Sequence, residues 1–250
     1  MKGVILAAGI SSRLRPLTDG VPKCLLEVGP GTILGMTIEN LIANGIGDVV
    51  IVTGYRGDQI RAYVRESFPA LDAEFVTNDR YEKTNNIYSL FLTESAAAGD
   101  DIVLLDSDIV FDRRIIGLLR TSGAPACLAV ASGPKLGDEE IKVQTGPGGA
   151  VLRIGKDVPP AQAAGESIGI ELIGREFLRS LYAIFRRMFR DERNVNLFYE
   201  AAFQEAINEG NAMTAVDVGS LRCIEIDTPE DLREARRVAS VLETLSRFPR

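Results

Sequence analysis

The chain has 250 residues, 46% hydrophobic and 25% charged, the balance of an ordinary globular protein with ample material for a buried core. Its formal net charge of −7 argues against a nucleic-acid binder, and the lack of any histidine excludes Ser-His-Asp and Cys-His catalysis as well as His-ligated metals. Cys24, Cys127 and Cys223 are far apart and odd in number, which fits reduced thiols in a cytoplasmic protein better than a disulfide framework or a zinc site.

GVILAA (3–8) reads as a buried strand, followed by a polar loop over 9–23 rich in Gly, Ser, Arg and Pro. A helix is expected over 32–44, a strand over 48–54, a helix over 57–67 and a short strand over 73–78. Residues 85–98 read as a helix, DIVLLDSD (101–108) as a buried strand ending in carboxylates, 113–120 as a helix and ACLAVA (126–131) as a strand. This alternation predicts an α/β fold with a mostly parallel central sheet and helices on both faces. After about residue 133 the pattern changes. IKVQTG, AVLRIG and ESIGIELI are strands parted by Gly and Pro turns, which predicts a β-rich lobe. Helices over 175–190 and 195–208 follow, then strands in AMTAVDV and RCIEID. Thr228-Pro229-Glu230-Asp231 is a strong helix start, with a Thr cap, Pro in the first turn and acids at the positive end of the dipole. We expect one domain over 1–250, with an alternating βα half over 1–133 and a β-rich lobe with a C-terminal helix over 134–250.

The loop A-A-G-I-S-S-R-L-R-P-L-T (7–18) leaves the first strand at the carboxyl end, where open α/β sheets bind ligands. Gly9 allows close backbone approach, Ser11 and Ser12 can donate to phosphate oxygens, and Arg13 offers a rigid charged fork. A solvated surface turn could carry the same residues. The loop matches neither G-x-G-x-x-G nor G-x-x-x-x-G-K-[ST], so dinucleotide binding and P-loop hydrolysis are not signalled. Asp106 and Asp108 end a strand, and alternation in DSD would turn both carboxylates to one side. Asn85 and Asn86 could cap a helix or read a base edge, since an amide both donates and accepts.

Gly-x-x-Ser-Arg-Leu-x-Pro-Leu-Thr followed by Pro22-Lys23 resembles the signature of sugar-phosphate nucleotidyltransferases and related cytidylyltransferases. T-N-N-x-Y-S-L (84–90) resembles the bacterial phosphocholine-type cytidylyltransferases, in the place of the base-reading segment. The resemblance runs from about residue 2 to 235 and is most specific in the first 110. It implies a Rossmann-like, GT-A-like nucleotidyltransferase fold. It implies that Arg13 and Lys23 act on the triphosphate and the transition-state charge, and that Leu6, Ala8 and Gly9 line the base pocket. Asn85, Asn86 and, more weakly, Ser89 would read the base, with Ser11, Ser12 and Asp106 also on the nucleotide. Asp108 and Asp227 would bind Mg2+, which favours one or two protein carboxylates beside phosphate oxygens and water. Tyr55, in Thr53-Gly54-Tyr55, and Lys142, Lys156 and Glu166 would meet the acceptor.

The expected reaction is attack by a phosphate or phosphonate oxygen on the α-phosphorus of CTP, with loss of pyrophosphate. The acceptor is already ionised at neutral pH, so no general base is required, in keeping with the missing histidine. UTP, dTTP or GTP with a sugar 1-phosphate is the alternative, and a non-catalytic nucleotide-binding regulatory domain is a third reading that fold alone does not exclude. The chain has no tryptophan, the best partner for a quaternary ammonium. Its arginine-rich stretch, including Arg187 and Arg193, suits carboxylate or phosphonate, so a small phosphonate or anionic phosphate is expected rather than phosphocholine. Arg175, Arg179, Arg186 and Arg190 read as a solvated helix face. No partner nucleic acid or membrane is expected. No apolar run nears the roughly 20 residues of a span, and the start of the chain lacks the features of a signal peptide. A homodimer is left open.

Overall fold

The computed structural model describes residues 1–133 and 136–247. The expected boundary between the two halves adjoins Pro134 and Lys135, and these two residues and 248–250 lie outside the described residues. β1 (Lys2–Ala7) leads through the polar loop to a hairpin, β2 (Glu27–Val28) and β3 (Gly31–Thr32), and then to α1 (Ile33–Ala43). β4 (Asp48–Thr53), α2 (Gly57–Ser67), β5 (Asp72–Thr77), α3 (Asn86–Leu92) and α4 (Glu94–Ala97) follow. β6 (Ile102–Asp106), β7 (Ile109–Phe111), α5 (Arg114–Thr121) and β8 (Ala126–Ala131) come next. Then come β9 (Lys142–Thr145), β10 (Val151–Gly155), β11 (Gly165–Ile173), α6 (Arg175–Met188) and α7 (Glu200–Asn208). β12 (Thr214–Asp217), β13 (Cys223–Glu225) and α8 (Pro229–Arg247) close the fold.

The sheet has a parallel heart, β6-β1-β4-β5, as the βα alternation predicts. β11 then pairs antiparallel with β6, β8 and β9, so the strands expected to form a separate lobe extend the same sheet. One face is covered by apolar side chains of α3, α6 and α7, among them Ile87, Leu181, Phe185 and Phe203. The other packs on α1, α2 and α5 through Leu34, Ile38, Ile60 and Ile116. A third cluster, Leu14, Val28, Ile33, Val110, Ile226 and Leu232, fastens α8 to the start of α1 and to the Arg13 loop. No described helix is long and apolar enough to cross a membrane.

Two expected helices are shorter than their sequence patterns. The stretch 85–98 is broken at Thr93, whose Oγ1 donates to Leu90 O at 2.7 Å and meets Tyr182 Oη at 2.9 Å. The stretch from 195 begins as a 3-10 turn, Glu192–Asn196, capped by Asp191, and becomes α-helical only at Glu200. The helix start at 228–231 forms as expected: Asp231 Oδ2 accepts from Thr228 N at 2.7 Å, while Thr228 Oγ1 accepts from Asp231 N at 3.2 Å. The same carboxylate accepts from Asp227 N at 3.1 Å, which sets the residue before the helix in place.

Candidate active site

A cleft of about 760 Å³ opens at the carboxyl ends of β1, β6 and β13. Leu6, Ala8 and Gly9 form one wall, continued by Ser11 and Arg13. Gly54 lets the next strand-end turn close over this wall: a Cβ there would lie 2.7 Å from Ala8 O and 2.8 Å from Tyr81 Cβ.

At the centre, Lys23 is 7% exposed. Its Nζ donates to Asp108 Oδ2 at 2.9 Å and to Asp227 Oδ1 at 3.0 Å. The exposed Arg13 guanidinium reaches Asp227 Oδ2 at 2.7 Å. Three segments far apart in the chain thus meet at one point. Burial opposes the charge on Lys23, but the carboxylates of Asp108 and Asp227 outweigh it and raise its pKa. Glu225, two residues before Asp227, adds a third carboxylate. Enclosure by the cleft, then Asp108 and Asp227, push it up to about 7. Carboxylate oxygens of Asp108, Glu225 and Asp227 lie within 4.8 Å of one another. Such hard oxygen donors fit a divalent ion of the magnesium type.

The paired asparagines lie on the rim with their groups largely engaged. Asn85 caps α3, accepting from Asn86 N at 2.8 Å. Asn86 Oδ1 accepts from Tyr199 N at 3.0 Å, which leaves its amide N–H groups for a ligand. Ser89 Oγ accepts from the buried Asn78 Nδ2 at 3.1 Å, and Asn78 also lines the cleft.

Asp106 and Asp108 do not act as one pair. The strand ends at Asp106 and the chain turns, so alternation no longer holds. Asp108 faces Lys23, whereas Asp106 Oδ2 accepts from Tyr199 Oη at 3.2 Å. Gly169, with φ +68°, makes room for that carboxylate, since a Cβ would lie 2.6 Å from Asp106 Oδ2. Tyr199 Oη also lies 3.3 Å from Glu171 Oε1. Enclosure first, then neighbouring carboxylates, hold the Asp106 and Glu171 carboxyls well above the usual range. Glu200, at the start of α7, is 5% exposed, lines the cleft and is pushed up to about 7 by burial.

Lys156 and Glu166 reach the cleft, but Ser12, Tyr55 and Lys142 do not line it. Ser12 opens the 3-10 turn Ser12–Leu14. Tyr55 Oη donates to Asp19 O at 2.9 Å and so braces the Arg13 loop from behind. Lys142 is 1% exposed and its Nζ donates to Gly137 O at 2.9 Å and Glu140 O at 3.1 Å, so it organises a turn within the protein. The arginines of α6 and the following turn are likewise absent from the cleft wall. Arg187 pairs with Glu209 and Arg193 with Asp191, on the surface. The apolar stripe of α6 faces the core and turns its cations outward, in keeping with a solvated face for Arg175, Arg179, Arg186 and Arg190.

Sequence reasoning missed Glu225, Asn78, Tyr199 and Glu200. Glu225 had a signal, because it stands two residues before Asp227 in the expected strand RCIEID. Asn78 ends an expected strand as well. Tyr199 and Glu200 had none, being two residues in an ordinary helix start.

An open α/β sheet with an Arg/Lys loop and a carboxylate cluster at its strand ends defines a phosphate-handling enzyme of the nucleotidyltransferase class. Residues 3–211 match the family described as the MobA-like NTP transferase domain, and the chain belongs to that family. The CTP:phosphoglutamine cytidylyltransferase of Campylobacter jejuni is 28% identical over 255 residues, covering 93% of this chain and 98% of that protein. The choline-phosphate cytidylyltransferase of Streptococcus pneumoniae is 37% identical over 107 residues, 43% of this chain and 45% of that protein. In fold, the solved CTP:phosphocholine cytidylyltransferase of Streptococcus pneumoniae superposes with a TM-score of 0.80 at 24% identity, over 95% of this chain and 98% of that one.

Proposed function

We propose that the protein transfers CMP from CTP to a small acceptor bearing a phosphate or phosphonate. The observation that carries this reading is Lys23 held between Asp108 and Asp227, with Arg13 on the same carboxylate, beneath the cleft wall of Leu6 to Gly9. The names of the relatives support the choice of CTP.

An acceptor oxygen attacks the α-phosphorus in line. The new P–O bond forms as the bond to the β-phosphate bridging oxygen breaks, and pyrophosphate leaves with that electron pair. The nucleophile is already anionic, so no side chain has to take a proton. Lys23 turns from its carboxylates to the α-phosphate and meets the charge that develops there, and Arg13 takes the β and γ groups. Asp108 and Asp227, with Glu225 beside them, would hold Mg2+, which when bound supplies Lewis-acid charge to the phosphate oxygens. The base lies against Leu6, Ala8 and Gly9. An Asn86 N–H can donate to N3 of cytosine, where uracil instead carries N3–H, so the amide discriminates by leaving uracil's donor unpaired. Ser11 donates to phosphate, and Lys156 and Glu166 border the acceptor.

The test is pyrophosphate release with each of CTP, UTP, dTTP and GTP in the presence of magnesium and a panel of small phosphates and phosphonates. CTP is expected to give the highest kcat/KM. A higher value for UTP, dTTP or GTP would remove the cytidylyl reading, and nucleotide binding without turnover would favour a regulatory domain.

A further inference from the structure

Part of the cleft wall carries carboxylates that form no ion pair with a described cation, although Glu200 feels the charge of Lys156. Glu200 Oε2 is buried and meets no hydrogen-bond donor among the described residues. Behind it, Tyr199 Oη links Asp106 to Glu171, which is fully buried. Glu166 lines the cleft as well. The three described cations on the cleft wall are already paired: Arg13 and Lys23 with Asp227, and Lys156 with Glu139 at 2.9 Å. A second, independent feature is Phe198, 40% exposed on the cleft rim, with Lys156 Nζ 5.0 Å from its ring centroid.

These features discriminate among acceptor tails. A carboxylated tail would meet buried carboxylates and no free described cation, a costly arrangement in a poorly solvated site. A polyol could donate to Glu200 but would bring no charge to the cluster. A quaternary ammonium brings charge but no N–H, so Glu200 Oε2 would stay without a donor. It also needs several aromatic faces gathered together, and the two described aromatics lining the cleft, Tyr81 and Phe198, make no ring contact with each other, while a lysine already lies over Phe198. A primary ammonium supplies both the charge and the donors.

Resting on the cytidylyl-transfer reading, we infer that the acceptor is an aminoalkyl phosphate or phosphonate whose primary ammonium group is received by Glu200. Its phosphorus end points toward Lys23 and its amine toward the start of α7. The hydrogen bond from Tyr199 N to Asn86 Oδ1 joins this receptor to the segment proposed to read the base, so the two specificities share one piece of structure.

The experiment compares kcat/KM at saturating CTP and magnesium for 2-aminoethylphosphonate, O-phosphoethanolamine, phosphocholine, phosphoglycolate, inositol 1-phosphate and propylphosphonate. One of the two primary amines is expected to exceed every other probe by about tenfold or more, the scale of one charge-assisted hydrogen bond. Which of the two leads separates a phosphonate acceptor from a phosphate ester. Glu200→Gln should bring the ratio of the amine to propylphosphonate close to unity, mainly through KM for the amine. The ranking in the unaltered enzyme decides the matter even if the variant folds poorly. A lead for phosphocholine, phosphoglycolate, inositol 1-phosphate or propylphosphonate would overturn the inference and leave cytidylyl transfer standing. Pyrophosphate release from CTP with none of these acceptors would overturn both.

Discussion

Two groups of carboxylates face one cleft, and they are built on opposite terms. Around Lys23, the charges of Asp108 and Asp227 are matched by a buried ammonium and by Arg13, each within hydrogen-bonding distance. Around Tyr199, Asp106 and Glu171 share a hydroxyl while Glu200 Oε2 has no donor, and none of the three forms an ion pair with a described cation. The first group can exchange partners when phosphate and a divalent ion arrive. The second is enclosed, and burial, the largest cause, raises the pKa of each of its carboxyls. Opposite charge within reach, more than burial alone, decides which carboxylates are ready to bind an ion.

The strongest way to break this comparison is to remove charge from the matched centre. Asp108→Asn and Asp227→Asn should each lower turnover by at least about a hundredfold, the scale of a few kcal/mol of lost transition-state stabilisation. Near-normal steady-state rates in magnesium for both variants would show that the centre is structural.

The unmatched group should reveal itself through stability. Burial raises the Glu200 carboxyl from 4.5 to about 7. The folded chain therefore keeps a proton that the unfolded chain has released, and this group's contribution to stability falls as pH rises from 4.5 to about 7, then levels. Glu200→Gln removes that slope. The loss of unfolding free energy on going from about pH 5 to about pH 8 should be smaller in the variant by on the order of 2 kcal/mol, measured by urea titration at both values. Parallel pH profiles would mean that Glu200 is ionised and solvated in the native protein.

Lys142 sharpens the comparison from another side, as a buried cation that neutralises backbone dipoles rather than carboxylates. Lys142→Met should leave Gly137 O and Glu140 O without their donor and lower stability by about 1–2 kcal/mol, read from the urea midpoint. KM for the nucleotide should be unchanged. The smallest effect belongs to the exposed pairs. Arg193→Ala should alter stability by less than about 0.5 kcal/mol and leave acceptor KM unchanged, because a solvated ion pair is weak and this one does not line the cleft. A marked rise in acceptor KM would place the turn after α6 in the site.

Period and punctuation alone determined the βα alternation, the parallel heart of the sheet and the capped start of α8, because each follows from contacts between near neighbours in the chain. The Arg13 loop, Lys23, Asp108 and Asp227 stood out through their resemblance to the nucleotidyltransferase signature, a long joint pattern whose members each sit at a strand end or beside a helix cap. Lys142 was misjudged because a strand lysine reads alike whether it meets ligand or carbonyls. The solvated face of Arg175, Arg179, Arg186 and Arg190 was legible, because the apolar stripe of the helix leaves the opposite face to solvent. The join of β11 to β6, the split of Asp106 from Asp108, and the gathering of Tyr199 and Glu200 against Glu171 were decided only by the tertiary structure. Each depends on pairing segments that lie far apart in sequence, and the environment of a carboxyl group is set by what that pairing encloses with it.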